Sequence, residues 1–144
     1  MRTVLLATDA DWIHEEVDAA LSSPDVEVLR VRSGSDVIPA MLEVEPDLVV
    51  LDMQTGNMGG MATCMAIRHE ETADRLPITA VLMLLDRAAD VFLAKRCEAD
   101  GWLIKPLDSF RLRKAAKVLM DGFSYFEGVD PEHDPPLPAG TVSA

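Results

Sequence analysis

Asp9, Asp52 and Lys105 each follow a short apolar run: Val4 to Ala7 with Thr8 before the first, Leu48 to Leu51 before the second, Leu103-Ile104 before the third. Two carboxylates and an ammonium are suited to phosphoryl transfer. A carboxylate held beside a divalent metal and an ammonium can attack a phosphoryl group, because both cations offset charge on the phosphoryl oxygens. Asp52 suits the nucleophile and Lys105 its cationic partner. Magnesium prefers hard oxygen ligands and keeps several waters, so Asp9, Asp52 and the backbone carbonyl of Gln54 suffice to hold it, with Asp11 adding a contact through a water. Taken singly, Asp9 and Asp11 read equally well as helix caps and Asp52 as a turn residue. Only the combination with Lys105 points to a site.

For these side chains to meet, the runs before them must be strands of one sheet. Apolar segments of strand length alternate with segments of helical period, the pattern of repeated strand–helix units around a parallel sheet. The strands are expected at Thr3 to Thr8, Val26 to Val31, Leu48 to Leu51, Ile78 to Leu84 and Gly101 to Ile104. Several are nearly unbroken Val, Leu and Ile, as strands covered on both faces require. In an open sheet of this kind, reactive groups gather at the carboxyl ends of the strands, which is where Asp9, Asp52 and Lys105 fall.

The intervening helices show one apolar stripe each. Ile13, Val17, Ala20 and Leu21 mark the first; Val37, Met41 and Val44 mark the second, with Ser35 as its cap and Pro46 as its stop. Gly59 and Gly60 precede a third with Met61, Cys64 and Ile67. A fourth spans Ala88 to Glu98, and a fifth runs from near Asp108 to Gly122. Residues 1–122 therefore read as one domain. Residues 123–144 are acidic and rich in proline, which predicts a tail without fixed structure.

A formal net charge of −12 repels phosphate backbones and argues against direct nucleic-acid binding. No apolar run reaches the roughly 18 residues of a membrane span, and the first run is too short for a signal peptide, so a cytoplasmic location and no membrane partner are expected. Cys64 and Cys97 lack metal-ligand spacing and are expected as buried thiols. His14, His69 and His133 have no partner at ligand or triad spacing, which removes hydrolase readings.

Residues 3 to about 120 resemble the receiver domain of two-component response regulators. The resemblance rests on Pro46-Asp47-Leu48-Val49-Val50-Leu51-Asp52, on Gly56-Asn57-Met58-Gly59-Gly60, and on Ala99-Asp100-Gly101-Trp102-Leu103-Ile104-Lys105-Pro106. It implies a flavodoxin-like, doubly wound sheet of five parallel strands in the order 2-1-3-4-5. It further implies that Asp52 accepts a phosphoryl group from a histidine kinase or phosphotransfer protein, that magnesium is the cofactor, and that a downstream protein target reads the result. Beyond self-phosphorylation from small donors and autodephosphorylation, no enzymatic activity is expected.

The chain departs from the family pattern at defined points. The family has two adjacent acids after its first strand, where this chain has Thr8-Asp9. It has Thr or Ser ending its fourth strand, for which Leu82 and Met83 are the expected counterparts and hence, with Trp102, the switch positions. These departures leave an alternative open: a pseudo-receiver that works as a phosphorylation-independent protein-interaction module.

Overall fold

A computed structural model describes residues 1–127 and the backbone of 141–143. The apolar strands receive the cover they require from helices on both sides. In chain order the elements are β1 (Arg2–Ala7), α1 (Asp11–Leu21), β2 (Val26–Val31), α2 (Val37–Val44), β3 (Leu48–Asp52), α3 (Gly60–Thr72), β4 (Ala80–Leu85), α4 (Val91–Arg96), β5 (Gly101–Ile104), α5 (Ser109–Met120), β6 (Ser124–Phe126) and β7 (Thr141–Ser143). They form one parallel sheet of order β2-β1-β3-β4-β5-β6-β7. The expected order 2-1-3-4-5 makes up its first five strands from the β2 edge, and β6 and β7 extend it beyond β5. The fold is flavodoxin-like α/β.

Strand alternation splits the core into two layers. Leu5, Val49, Leu51, Val81, Met83 and Leu85 face α2, α3 and α4, meeting Met41, Cys64, Ile67 and Ala94. Leu6, Val50, Leu82, Leu84 and Leu103 face α1 and α5, meeting Ile13, Val17, Leu112 and Ala116. Each such side chain contributes about 1.5–3 kcal/mol by leaving water, which makes the sheet the rigid base of its loops. Both cysteines are buried free thiols in the first of these layers.

Besides one-residue shifts at β1 and β3 and a fourth helix shortened to Val91–Arg96 behind a 3-10 turn at Ala88–Asp90, three differences from the sequence reading stand out. β4 starts at Ala80 and runs to Leu85, because Pro77 precedes a turn in which Ile78 is exposed and the Thr79 hydroxyl donates to the Pro77 carbonyl at 3.1 Å. The second helix is preceded by a 3-10 turn at Gly34–Asp36, so Ser35 lies inside that turn and the cap position of the helix falls to Asp36; the Ser33 hydroxyl, just before the turn, donates to the Asp36 carboxylate at 2.8 Å. α5 begins as expected, with Asp108 accepting from the Arg111 backbone N–H at 2.9 Å.

The third difference lies in the segment read as a structureless tail. Its first residues form β6 against β5, with Tyr125 and Phe126 buried. Gly101 permits this approach: a Cβ there would stand 2.6 Å from the Tyr125 carbonyl oxygen. Phe126 stacks on Trp102 with ring centroids 4.2 Å apart, and the indole N–H of Trp102 donates to the Glu127 carbonyl at 2.5 Å. The Glu127 carboxylate accepts from the Ile104 backbone N–H at 2.9 Å and pairs with Arg111. The folded unit therefore reaches at least Glu127, while residues 128–140 of the expected tail lie outside the described residues.

Candidate functional site

The carboxyl ends of β1, β3, β4 and β5 bring Thr8, Asp52, Asp86 and Lys105 together. Asp52 is the last residue of β3, lies opposite Leu84 of β4, and has a side chain only 1% exposed. A buried carboxylate needs partners for its charge. Asp52 has three donors: Lys105 Nζ at 2.7 Å and the Gln54 backbone N–H at 3.1 Å on Oδ1, and the Thr8 hydroxyl at 2.8 Å on Oδ2. Thr8 Oγ1 in turn accepts from the Ala10 backbone N–H at 3.1 Å while its own proton goes to Asp52.

Lys105 bridges two acids. Its ammonium also donates to Asp86 Oδ1 at 2.8 Å, and Asp86 Oδ2 accepts from Gln54 Nε2 at 2.7 Å. Burial pushes the Asp86 carboxyl up, but the hydrogen bonds from Lys105 and Gln54 and the nearby positive charge outweigh it, leaving the group below its ordinary value of 3.8. For Lys105, burial pushes the ammonium down, and the bonds and charges of Asp52 and Asp86 carry it above 10.5. The signs fix a pH dependence. The Asp86 contribution to stability is present above its unfolded value of 3.8 and fades as pH falls through the lower folded value. The Lys105 contribution is present below 10.5 and fades as pH rises through the higher folded value. Urea unfolding of wild type and Asp86→Asn should therefore differ by a constant amount between those limits and converge below the acid one. A difference that persists at the acid end would show that the charge of Asp86 is irrelevant to it.

The loop after Asp52 carries left-handed residues at Asn57 and Met58, yet it is tethered to its surroundings. The Thr55 hydroxyl donates to the Ala7 carbonyl at 3.0 Å, and the Gly34 and Ser35 backbone N–H groups donate to the carbonyls of Gly56 and Asn57. Gly60 closes the loop under Asp52, where a Cβ would stand 2.8 Å from the Asp52 carbonyl.

Asp9 is exposed at the rim of the site and accepts from the Gly56 backbone N–H at 3.1 Å. Asp11 is not a neighbour of this cluster in the bonds it makes. Its carboxylate pairs with Arg30 at 2.8 Å and Arg32 at 3.5 Å, and the Arg30 hydrogen bond and charge hold its carboxyl below the ordinary value. Arg30 also donates to the Thr8 carbonyl at 2.9 Å, so the cation that fixes the β1–α1 loop takes the acid expected to assist a metal. Leu82 and Met83 are misplaced as site residues: they pair with Val50 and Leu51, inside the sheet, and Leu85 ends β4. Trp102 is buried under Phe126. His14 and His69 stand outside the cluster, and His133 lies outside the described residues.

A model of the response regulator receiver domain matches residues 4–117. The chain belongs to that family. Among similar curated proteins, the transcriptional regulatory protein CseB of Streptomyces avermitilis is 29% identical over 96% of this chain and 58% of its own length. AfsQ1 of Streptomyces coelicolor, also a transcriptional regulatory protein, is 31% identical over 74% of the chain and 46% of its own length. The chain thus spans about half the length of these relatives. Protein PilH of Pseudomonas aeruginosa is 22% identical and is matched along 100% of its length by 85% of the chain. Among solved structures, the receiver domain of a NarL response regulator from Mycobacterium tuberculosis superposes with a TM-score of 0.73 at 29% identity, covering 84% of this chain and 97% of that one. The chemotaxis regulator CheY4 of Vibrio cholerae gives 0.73 at 24%, covering 83% and 98%, and supports the fold.

Within this receiver domain two departures from the family pattern fall at the strand ends around the site, and one of them, Thr8, touches Asp52. Thr8 puts a hydroxyl donor where a second acid is expected, and Leu85 puts an apolar side chain where β4 is expected to end in a hydroxyl. Among the described residues no group of three or more His, Cys, Asp or Glu forms a ready metal cluster. The donor set is nonetheless that of a magnesium site short of one acid: the carboxylates of Asp9 and Asp52 and the Gln54 carbonyl, all hard oxygen. Oxygens of this type suit magnesium.

Asp86 escaped the sequence reading through the misplaced end of β4. The rule that found Asp9, Asp52 and Lys105, the first charged residue after an apolar run, selects Asp86 once the run is carried through Leu85.

Proposed function

We propose that this receiver domain takes a phosphoryl group on Asp52 from a histidine kinase or phosphotransfer protein and signals by protein–protein contact. The observation that supports this most is the position of Asp52: a buried carboxylate at a strand end with the Lys105 ammonium 2.7 Å away. An Asp52 oxygen attacks phosphorus, the bond to the donor's imidazole nitrogen breaks, and the freed nitrogen keeps the electron pair. Lys105 offsets charge gathering on the phosphoryl oxygens. Asp9, Asp52 and the Gln54 carbonyl would hold magnesium, whose charge serves the same end. The activity is confined to the domain's own phosphorylation and dephosphorylation, the setting is cytoplasmic, and the target is a protein. Among the described residues no helix is long and apolar enough to cross a membrane.

Thr8 and Leu85 favour a second reading, in which the fold serves as a phosphorylation-independent interaction module. Incubation with acetyl phosphate and magnesium, followed by intact-mass measurement, separates the two. Addition of one phosphoryl group is expected; no adduct under any magnesium concentration leaves the interaction module. Thr8→Asp should tighten magnesium binding by about tenfold, one charge-assisted contact in place of a hydroxyl, as read by the Trp12 fluorescence titration midpoint. An unchanged midpoint would remove Thr8 as the cause of weak binding.

A further inference from the structure

Asp86 forms no part of the family pattern set out above, and its contacts give it a specific role. We propose that the Asp86 carboxylate is a built-in counter-anion that occupies Lys105 and thereby sets how strongly the site takes up a phosphoryl group. This rests on the reading of Asp52 as the acceptor and makes Asp86 a positioning residue, acting through Lys105.

An ammonium has three N–H donors. Two are committed here, to Asp52 at 2.7 Å and to Asp86 at 2.8 Å. A phosphoryl group arriving on Asp52 brings three acceptor oxygens and nearly two negative charges, which draw on the same ammonium. Asp86 competes for it as a fixed anion. The carboxylate is braced from its other side, since Oδ2 accepts from Gln54 Nε2 at 2.7 Å, and Gln54 belongs to the loop that leaves Asp52. The bracing joins the ends of β3, β4 and β5 through one side chain. Asp86 is 27% exposed and Asp52 1%, so the gate stands on the solvent side of the acceptor.

Among the described residues no hydroxyl is shown donating to Asp86 to relieve the competition. Leu85, the residue before Asp86, has none, and the Thr8 hydroxyl is turned to Asp52 with its proton. Arg87, the residue after Asp86, is directed away to Asp90 at 3.2 Å. Lys105 is therefore the ammonium for which both anions contend, and removing Asp86 should release it.

A purely structural ion pair predicts the opposite sign. Loss of Asp86 would then loosen the site and weaken every ligand. The test compares wild type, Asp86→Ala and Asp86→Asn for beryllofluoride binding with magnesium present, followed by the amide resonances of Gln54 and Lys105, and for labelling by acetyl phosphate, followed by intact mass. Asp86→Asn keeps the shape and the Gln54 contact should Asp86→Ala not fold. Both variants are expected to bind beryllofluoride at least about tenfold more tightly than wild type and to label faster, because a like charge beside the shared ammonium has gone. Binding equal to or weaker than wild type in the folded variant overturns the proposal. If wild type labels well and the variants label no faster, Asp86 is not the gate and the acceptor reading stands. If only the variants label, the gate stands and the wild-type chain is the interaction module. If nothing binds or labels, both fall.

Discussion

Asp52→Asn is expected to abolish the phosphoryl adduct while leaving the fold in place. The substitution keeps the shape, and the Asn carbonyl oxygen can accept from Lys105 and the Gln54 backbone N–H as the carboxylate does. Its amide nitrogen faces Thr8, whose hydroxyl can turn from donor to acceptor. What disappears is the nucleophile, since an amide oxygen does not form the acyl phosphate. Lys105 retains Asp86, so its charge is not left buried alone. Intact mass should show one added phosphoryl group in wild type and none in the variant, with equal circular dichroism. An undiminished adduct would move the acceptor elsewhere, and Asp86 would be the first carboxylate to map.

The second large effect is expected at β6. Tyr125→Ala should cost about 3–5 kcal/mol, the range for emptying a buried aromatic site, because Tyr125 is 1% exposed against α5 and the sheet. Ending the chain at Gly122 should cost at least as much. It removes Tyr125 and Phe126 from the core and leaves the Trp102 indole, the Ile104 N–H and Arg111 without the partners Glu127 provides. Urea unfolding measures the loss. With Trp12 replaced by Phe, the emission of Trp102 should shift to the red in the shortened chain. A shortened chain with wild-type stability and unshifted emission would show that β6 does not dock in solution.

The strands and the helix faces were legible because burial on both sides leaves a dense local signature: β3 and β5 are short, nearly unbroken apolar runs of strand length, and Asp108 and Gly122 punctuate α5 through local geometry. Asp9, Asp52 and Lys105 followed from those runs. Asp86 did not, since Ile78 lengthened the apolar run at one end and drew the expected strand, Ile78 to Leu84, short at the other. The same displacement sent the switch position to Leu82 and Met83. Asp11 was misjudged for another reason: its partner Arg30 lies on β2, and no local spacing reveals a contact made across the fold. β6 was hidden in the same way, being three residues whose burial comes from the open surface at Gly101 and not from any period of their own.

The path of the chain past β5 has a mechanical consequence. Residue 127 is anchored by its carbonyl to the Trp102 indole and by its carboxylate to Arg111 and the Ile104 N–H, one residue before Lys105. A load attached directly after Glu127 hangs from those anchors, so tension applied there would be felt at the same strand end that holds the Asp52 and Asp86 pair. A fusion made after Glu127 would keep that lever intact, whereas one made at Gly122 would cut it.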